Sequence, residues 1–347
     1  MVEAFHELYA DAPIYTSYCS DDWRKRLDDK VITGYLQYPP FKQLRRFLPL
    51  LRQWWFARLD LSEFDLVISI TGNGEAKFVR VPNGKHISYC HTPVHFYWRH
   101  YDEYVRNPSV RPKWLARFGL KSLVKPLRKR DYAAAQKVDH FIANSTHIQA
   151  DISQFYGRDS TVIFPPVNID EFSNHSTLNP QPSALSFVTH GRLVPYKKVD
   201  IIIEACNQLK LPLTVIGKGP DLPRLQNLAG PTISFKGFVS QADLPQLLAQ
   251  HSAYIFAAYE DFGIAPVEAM ASGLPVIAYQ AGGAFDYVIP GRTGEFFAEQ
   301  SAASLKAVLQ TYDPKNYNAN DLRQQASNFS KENFANKFRE FISDLVS

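Results

Sequence analysis

The sequence predicts an α/β protein with two doubly wound parallel sheets, and three observations support this. Apolar strand patterns alternate with helical patterns through almost all of the chain, as they do when helices cover both faces of parallel sheets. The length, 347 residues, suits about two domains with separate cores. A polar stretch rich in Ser, Asn and Pro, residues 173–183, separates two sets of strands and is typical of a linker.

Each half of the chain contributes five predicted strands. In the first half we expect strands at 14–17, 66–70, 86–90, 141–144 and 161–164. In the second half we expect them at 185–190, 212–216, 232–235, 253–257 and 275–278. Helical patterns fill the intervals, and the last helices are expected over about 318–346. Met1, Val2, Phe5 and Leu8 form an apolar helical stripe with no strand before it.

Positive charge is concentrated in the first half, although the net charge is only +4. Residues 41–59 carry five basic side chains and no acid, with Trp54, Trp55 and Phe56 interleaved, and residues 111–130 carry eight basic side chains and no acid. Taken alone, either run is explained equally well as a helix face exposed to solvent. Together they favour a peripheral contact with anionic lipid or glycolipid. Nucleic acid is disfavoured because no recognised binding module accompanies the charge.

The three cysteines are Cys19, Cys90 and Cys206, and they form no C-x-x-C pair. This spacing fits a reduced compartment and argues against a zinc site. No run reaches the apolar length of a membrane-spanning helix, and no signal peptide is evident. We therefore expect a cytoplasmic protein that is peripheral on the inner face of the plasma membrane, if it meets the membrane at all.

The most informative segment runs from Glu260 to Glu268, with seven residues between the two carboxylates. Gly263 stands where a strand should turn into a helix, so Glu260 belongs to the turn and Glu268 lies about two helical turns further on. The helix N-terminus offers unpaired backbone N–H groups and partial positive charge, which suit a phosphate. Gly282 and Gly283 precede another helix and would let the backbone approach a ligand closely.

A second turn carries cations. The segment 191–197, Gly-Arg-Leu-Val-Pro-Tyr-Lys, follows a strand and opens a helix. Arg192 can bind a diphosphate in a forked geometry, and Lys197 can bind it as a point charge. A solvated basic helix start is the competing interpretation.

These motifs resemble the E-x7-E and Arg/Lys signatures of the retaining nucleotide-sugar glycosyltransferases of family 4. The resemblance implies that Glu260 contacts the donor sugar and that Glu268 binds the ribose hydroxyls. It also implies that Arg192 and Lys197 bind the diphosphate, and that the backbone N–H groups of Phe262, Gly263 and Ile264 bind sugar hydroxyl and phosphate. Lys198 departs from the family pattern, because many relatives carry glycine there.

In the first half, Cys-His-Thr-Pro at 90–93 follows a predicted strand and resembles the same phrase in relatives that build bacterial polysaccharides or lipid-linked precursors. The resemblance implies that His91 reaches the donor sugar near the scissile bond. A lone histidine is usually a satisfied structural residue, which is the competing interpretation.

The resemblance further implies the GT-B fold, two Rossmann-like domains facing each other across a cleft. We expect an acceptor-binding domain at 1–173, completed by the C-terminal helix at 330–347. A linker at 174–183 and a nucleotide-sugar-binding domain at 184–329 are expected to follow. Relatives begin about one strand earlier, so the first domain is expected to lack its first strand and the glycine-rich turn after it.

The predicted function is retaining transfer of a hexose from a nucleotide diphosphate sugar to a glycan or lipid-linked acceptor in polysaccharide or glycoconjugate biosynthesis. GDP-mannose is the first choice of donor, and UDP-sugars stay open. No Asp-x-Asp occurs, so we expect no obligatory metal and no cofactor. Two alternatives remain: a sugar-nucleotide epimerase or hydrolase on the same fold, and a truncated, inactive nucleotide-sugar-binding protein.

Overall fold

In a computed structural model of the protein, the described residues are 1–44, 49–72, 74–106, 112–173 and 185–346. The chain divides into two compact units, Met1–Phe164 and Pro165–Ser347. This division falls earlier than the predicted boundary at residue 173, and the predicted linker at 174–183 lies outside the described residues. The C-terminal helix falls within the second unit. Its expected role in completing the first domain stays a prediction.

The first unit contains two separate parallel sheets. Their strands are β1 Ile14–Thr16, β2 Val31–Thr33, β3 Leu66–Thr71, β4 Lys85–Cys90, β5 His140–Ala143 and β6 Ser160–Val162. Among the described strands, β1 pairs with β2 alone, whereas the larger sheet has the order β3-β4-β5-β6. The strand predicted at 14–17 is therefore present as β1, in a small sheet that no described strand joins to β3. Strand β2 was not predicted from the sequence.

The second unit is built on one six-stranded parallel sheet. Its strands are β7 Phe187–His190, β8 Leu213–Ile216, β9 Ile233–Gly237, β10 Ala253–Phe256, β11 Val276–Tyr279 and β12 Gly294–Phe297. Their order is β12-β11-β10-β7-β8-β9, which reverses direction beside β7 and so is doubly wound. The five predicted strands are confirmed to within two residues at each end, and β12 is an addition.

Helices alternate with these strands. In the first unit they are α1 Val2–Leu8, α2 Asp21–Arg26, α3 Phe41–Leu44, α4 Pro49–Phe56, α5 Tyr101–Arg106, α6 Lys113–Ala135 and α7 Thr146–Tyr156. In the second unit they are α8 Asp170–Ser173, α9 Val199–Leu209, α10 Leu222–Leu228, α11 Leu244–Leu248, α12 Ile264–Ala271, α13 Ala284–Tyr287, α14 Ala302–Thr311, α15 Ala319–Ser327 and α16 Lys331–Val346.

The core of the second unit explains how its sheet is fixed. Strand β10 is buried at every position, as expected for a central strand covered on both faces. Helices α9 and α14 pack side by side on one face and contribute Ile202, Ile203 and Leu305 to the core. Helix α12 is apolar on nearly all sides and is buried accordingly. The carboxyl ends of β7 and β10 therefore begin from a buried, well-packed sheet.

The two basic runs differ in structure. In residues 41–59, Arg52 forms an ion pair with Glu75 at 2.6 Å and Trp55 is buried, so part of this run serves packing. In α6 the large apolar residues Trp114 and Phe118 are about two-thirds exposed. Within the described ranges, no helix combines the length and the apolar character needed to cross a bilayer.

Candidate functional site

The turn after β10 sets the position of the two predicted glutamates. Strand β10 ends at Phe256, and α12 begins after Gly263, whose φ of +93° favours glycine. A Cβ at this position would lie 2.9 Å from the hydroxyl of Tyr287, so space as well as torsion requires glycine. Glu260 therefore lies in the turn and Glu268 in the second turn of α12, as the sequence predicted.

Two glycines hold this turn in place from the neighbouring loop. The backbone N–H of Gly283 donates to the carbonyl oxygen of Glu260 at 2.9 Å. A Cβ on Gly282 would overlap the same carbonyl, and a Cβ on Gly283 would overlap the backbone of Phe262. The structure thus gives both glycines a role in backbone packing. Their predicted close approach to a ligand stays a prediction.

The predicted cationic turn follows β7 and brings Lys197 to Glu260. The segment Pro195–Lys197 forms a single 3₁₀ turn, and the Nζ of Lys197 forms an ion pair with Oε1 of Glu260. Both side chains are about four-fifths buried, so water screens this pair less than a surface pair. Lys198 has a φ of +56°, which explains why glycine suits this position.

Arg192 is exposed in the same turn, and one Nη donates to the hydroxyl of Tyr196 at 3.4 Å. This contact is long for a hydrogen bond, so it holds the guanidinium weakly. Four of the five guanidinium N–H groups have no hydrogen bond to another described residue that would compete with an anion. Arg192 and Lys197 line the same small pocket.

Two further glycines, which the motif search did not assign to the site, fix the cationic turn. A Cβ on Gly217 would overlap the carbonyl oxygen of Gly191, and a Cβ on Gly219 would overlap that of Leu193. The backbone N–H of Leu193 also donates to the carbonyl of Lys218 at 3.0 Å. The loop after β8 thus lies directly against the loop after β7. The spacing of these two glycines is visible in the sequence, but it does not indicate which loop they contact.

His190 is a site residue that sequence reasoning missed. It ends β7, and its Nε2 donates to Oε2 of Glu268 at 3.0 Å. Its backbone carbonyl accepts from the hydroxyl of Tyr254 at 3.0 Å, and burial raises the pKa of that hydroxyl, so it stays protonated. Its Nδ1 is buried and has no partner among the described residues. The only sequence signal was a polar residue at the carboxyl end of a central strand.

Tyr287 adds a buried polar group beneath the N-terminus of α12. Its hydroxyl is fully buried and has no hydrogen-bond partner in the described part of the chain. Burial raises the pKa of this hydroxyl, and the charge of Glu260 raises it further. Such an orphaned group is costly, which favours a ligand or water near Gly263.

The predicted residue of the first unit lies at the end of β4. His91 directly follows Cys90, and its backbone N–H donates to the carbonyl of Thr71 at 3.0 Å. Its ring meets that of Tyr89 edge to face, with centroids 5.3 Å apart. Its predicted catalytic role stays a prediction.

The structure thus brings together, within the second unit, most of the predicted donor-binding residues. Glu260, Lys197, Phe262, Gly263, Gly282 and Gly283 are joined by direct contacts. Glu268, on α12, accepts a hydrogen bond from His190 at the end of β7. Ile264 is half exposed at the start of α12, and Arg192 lies in the cationic turn. In the described ranges, no three His, Cys, Asp or Glu side chains are grouped to hold a metal ion.

Comparison with protein families accounts for both halves of the chain. The model of "Glycosyltransferase Family 4" matches residues 2–171, and that of "Glycosyl transferases group 1" matches residues 170–333. The chain belongs to the family 4, group 1 glycosyltransferases. This confirms the family that the E-x7-E segment indicated.

Curated relatives match the chain over part of its length. A GDP-mannose-dependent alpha-mannosyltransferase of Mycobacterium tuberculosis is 39% identical over 105 residues, 30% of this chain and 28% of the relative. The uncharacterized glycosyltransferase YqgM of Bacillus subtilis is 28% identical over 185 residues, 49% of this chain and 51% of the relative. The chain therefore spans about half or less of the length of these relatives.

Solved structures of other glycosyltransferases share the fold. HepE of Anabaena, in complex with UDP and glucose, superposes with a TM-score of 0.68 at 20% identity, over 99% of this chain and 94% of that chain. The lipopolysaccharide outer core galactosyltransferase WaaB superposes with a TM-score of 0.68 at 16% identity, over 99% of this chain and 94% of that one. The GT-B fold class is thereby confirmed.

Proposed function

We propose that this protein transfers a hexose from a nucleotide diphosphate sugar to a glycan or lipid-linked acceptor, with retention at the anomeric carbon. One observation carries the proposal: Lys197 and Glu260 meet at the N-terminus of α12, while His190 holds Glu268 one turn further along. A cation, the backbone amides at the start of α12 and two carboxylates within one small region suit a ligand that has both phosphates and hydroxyls. Membership of a glycosyltransferase family supports the same conclusion.

The proposed roles follow from the chemistry of each group. The pyrophosphate binds between the guanidinium of Arg192 and the amides after Phe262, and Lys197 offsets its charge. Glu260 accepts hydrogen bonds from sugar hydroxyls. Glu268 accepts them from the ribose through Oε1, because Oε2 already accepts from His190. Carboxylates near a diphosphate are costly unless hydroxyl groups bind them, which these roles provide.

Catalysis in this proposal is electrostatic. Arg192, Lys197 and the N-terminus of α12 stabilise the charge that develops on the departing diphosphate, so no obligatory metal is needed. We propose retention because the leaving phosphate oxygen can take the acceptor proton on the face from which it departs. The sequence offers no evident protein nucleophile, and a covalent intermediate is not invoked.

GDP-mannose is the proposed donor. The mycobacterial relative, named a GDP-mannose-dependent mannosyltransferase, supports this choice over a matched segment of 105 residues. HepE was solved with UDP and glucose, which keeps uridine donors as the alternative. The nucleotide base therefore has to be tested directly.

The test measures donor binding and turnover together. We expect isothermal titration calorimetry to show that GDP-mannose binds the wild type. Lys197→Ala should weaken this binding by about 1.5–3 kcal/mol, roughly 10- to 150-fold in Kd, because a charge-assisted contact is lost. Lys306→Ala is the matched control, since Lys306 lies on α14 and its Nζ donates to Gln208 on α9, away from the candidate site. Glu260→Gln should keep the fold and abolish transfer.

Three results would contradict this assignment. Full transfer activity in Glu260→Gln would remove that carboxylate from the site. Release of free nucleotide that never depends on an acceptor would favour an epimerase or hydrolase. Binding of GDP-mannose and UDP-sugars without turnover on any glycan or lipid-linked acceptor would favour an inactive binding protein.

We further propose that the protein acts on the cytoplasmic side of a membrane and contacts it peripherally through the segments 41–59 and 111–130. In α6, Trp114, Leu115 and Phe118 are more than half exposed, and the following turns carry lysines with no acid before Asp131. Exposed aromatic side chains beside lysines suit the interface of an anionic bilayer. A lipid-linked acceptor would be found at that interface.

A further inference from the structure

A buried ion pair joins the short 3₁₀ turn after β3 to α6 in the first unit. The Nζ of Lys77 lies 2.6 Å from Oδ1 of Asp131, and the two side chains are 3% and 1% exposed. The hydroxyl of Tyr156 accepts from Lys77 at 2.7 Å and donates to Oδ2 of Asp131 at 2.8 Å. Oδ2 also accepts from the indole N–H of Trp98 at 2.8 Å. Asp131 therefore holds side chains from three other segments of this unit.

The ion pair lies directly against two loops. Gly74, in the loop after β3, has a φ of +80°, and a Cβ there would lie 3.4 Å from both Nζ of Lys77 and Oδ1 of Asp131. The same Cβ would lie 2.5 Å from Cγ2 of Val94, in the segment that follows β4 and begins with His91. The two loops and the ion pair are thus packed together with no room for one more methyl group.

Both loops belong to one edge of the larger sheet. Strands β3 and β4 are parallel neighbours, so their carboxyl ends meet at that edge. Ligands of open parallel sheets bind beyond the carboxyl ends of the strands. The ion pair therefore supports the edge of the first unit at which a ligand is expected.

A second ion pair anchors the same loop to another helix. Glu75 directly follows Gly74, and its Oε1 lies 2.6 Å from one Nη of Arg52 on α4. Burial raises the pKa of Glu75, although the charge of Arg52 opposes this shift. Two charged side chains, at 75 and 77, thus hold this loop from α4 and from α6.

Stability alone does not account for the pair of Lys77 and Asp131. Taking two opposite charges out of water costs about as much as their attraction returns, so apolar side chains of similar volume would stabilise the fold equally well or better. A hydrogen-bonded pair does restrict the structure, because any displacement of the loop leaves a charge buried without its partner. The pair therefore contributes a fixed loop position.

We propose that Lys77 and Asp131 are positioning residues for sugar transfer, because they hold the loops after β3 and β4 in the arrangement that receives the acceptor. They act through Gly74 and Val94 on the segment that carries His91. This inference rests on the proposed function. The residues proposed to bind the donor lie in the second unit, so loss of the pair should lower the rate of transfer and leave donor affinity unchanged.

The test is the double variant Lys77→Met/Asp131→Asn. It removes both charges at similar volume and keeps an oxygen that can accept from Trp98 and Tyr156. We expect the urea midpoint to stay near that of the wild type. The Kd of GDP-mannose, measured by calorimetry, should stay within about twofold, because the donor residues are distant. The rate at which saturating radiolabelled GDP-mannose labels lipid and glycan in membranes of the source cells should fall at least about tenfold.

Amide hydrogen exchange reports the position of the loops directly. The N–H groups of Phe78 and Val79 donate to the carbonyls of residues 75 and 76, within the loop after β3. Those of Tyr97 and Trp98 donate to the carbonyl of Val94. In the double variant these amides should exchange at least about tenfold faster than in the wild type, because the loops open locally. Amides of β8, in the second unit, should not change.

Arg158→Met is the matched control. The guanidinium of Arg158 donates to the carbonyls of Ala135 and Asp139, so it also joins the end of α6 to the chain after α7, but beside the amino end of β5. This variant should keep the wild-type rate of transfer. Lys77→Met alone leaves the charge of Asp131 buried and unpaired, and it should lower the urea midpoint. The comparison separates loss of the fold from loss of loop position.

Full transfer by a double variant as stable as the wild type would overturn the inference. So would a loss of GDP-mannose affinity as large as the loss of rate, or an equal loss of rate in Arg158→Met. A double variant with a urea midpoint as low as that of Lys77→Met would show that the pair serves stability, which would also overturn it. A wild type that neither binds nor transfers from GDP-mannose or a UDP-sugar would instead contradict the proposed function, and the inference with it.

Discussion

The buried side chain of His86 should make the free energy of unfolding depend on pH, by an amount that its pKa determines. It lies in β4 and is 2% exposed, and its Nε2 is 2.9 Å from the Oγ of Ser69. The carboxylate of Asp139 accepts from the backbone N–H of His86 at 2.7 Å. Burial lowers the pKa of His86 from 6.5 to about 4, against the opposing effect of Asp139. The imidazole is therefore neutral in the folded protein at neutral pH.

The sign of the effect follows from which state binds the proton first. As pH falls through 6.5 the unfolded chain takes up a proton at His86, whereas the folded protein does so only near pH 4. The free energy of unfolding therefore falls as pH decreases across that window. The loss is about 2 kcal/mol at pH 5 and about 3 kcal/mol near pH 4. Above pH 6.5 both states are neutral at His86, so it adds no pH dependence there.

The assay compares the wild type with His86→Gln in urea denaturation at pH 7.5, 6 and 5. Glutamine does not titrate in this range and keeps a group that can reach Ser69. All five tryptophans lie in Met1–Phe164, so tryptophan fluorescence reports unfolding of the first unit. Between pH 7.5 and 5 the wild type should lose about 2 kcal/mol more than the variant. Parallel pH profiles would refute the argument.

Two further predictions concern the second unit and α6. Gly219→Ala should weaken GDP-mannose binding and destabilise the second unit by about 1–3 kcal/mol, because the new methyl group displaces Leu193 and with it the cationic turn. Gly119→Ala is its control, since no atom lies within 4 Å of that Cβ, and equal binding in both variants would count against the packing argument. Replacing Trp114 and Phe118 together by serine should lower cosedimentation with phosphatidylglycerol vesicles at least about tenfold, and high salt should lower it further. Salt-insensitive binding, or no binding by the wild type, would disprove the membrane contact.

The predictable part of the site is local in sequence. The turn from β10 into α12 was predicted because Gly263 marks a change from a buried strand to a helix, and a positive φ there requires that residue type. The strands of the second unit were found because four or five apolar residues between turns give a clear pattern. Lys197 was proposed because the turn at 191–197 resembles the Arg/Lys motif of the family.

The remaining features depend on contacts between distant residues. His190 meets Glu268 across 78 positions, and Gly219 meets Leu193 through the packing of two loops. No periodicity in one segment carries such information. The sequence also could not predict that β1 and β3 belong to different sheets. The apolar pattern of a strand indicates its burial, but it does not indicate which strand pairs with it.

The ion pair between Lys197 and Glu260 bears on selectivity. The ammonium group that would attract phosphate already has a carboxylate beside it, in a place largely shielded from water. Inorganic phosphate or sulfate bound at Lys197 would be repelled by the negative charge of Glu260. It would also offer that carboxylate few or no hydrogen-bond donors. A sugar diphosphate brings hydroxyl groups to it. We therefore expect the resting site to discriminate against the simple anions of the cell while staying open to glycosylated nucleotides.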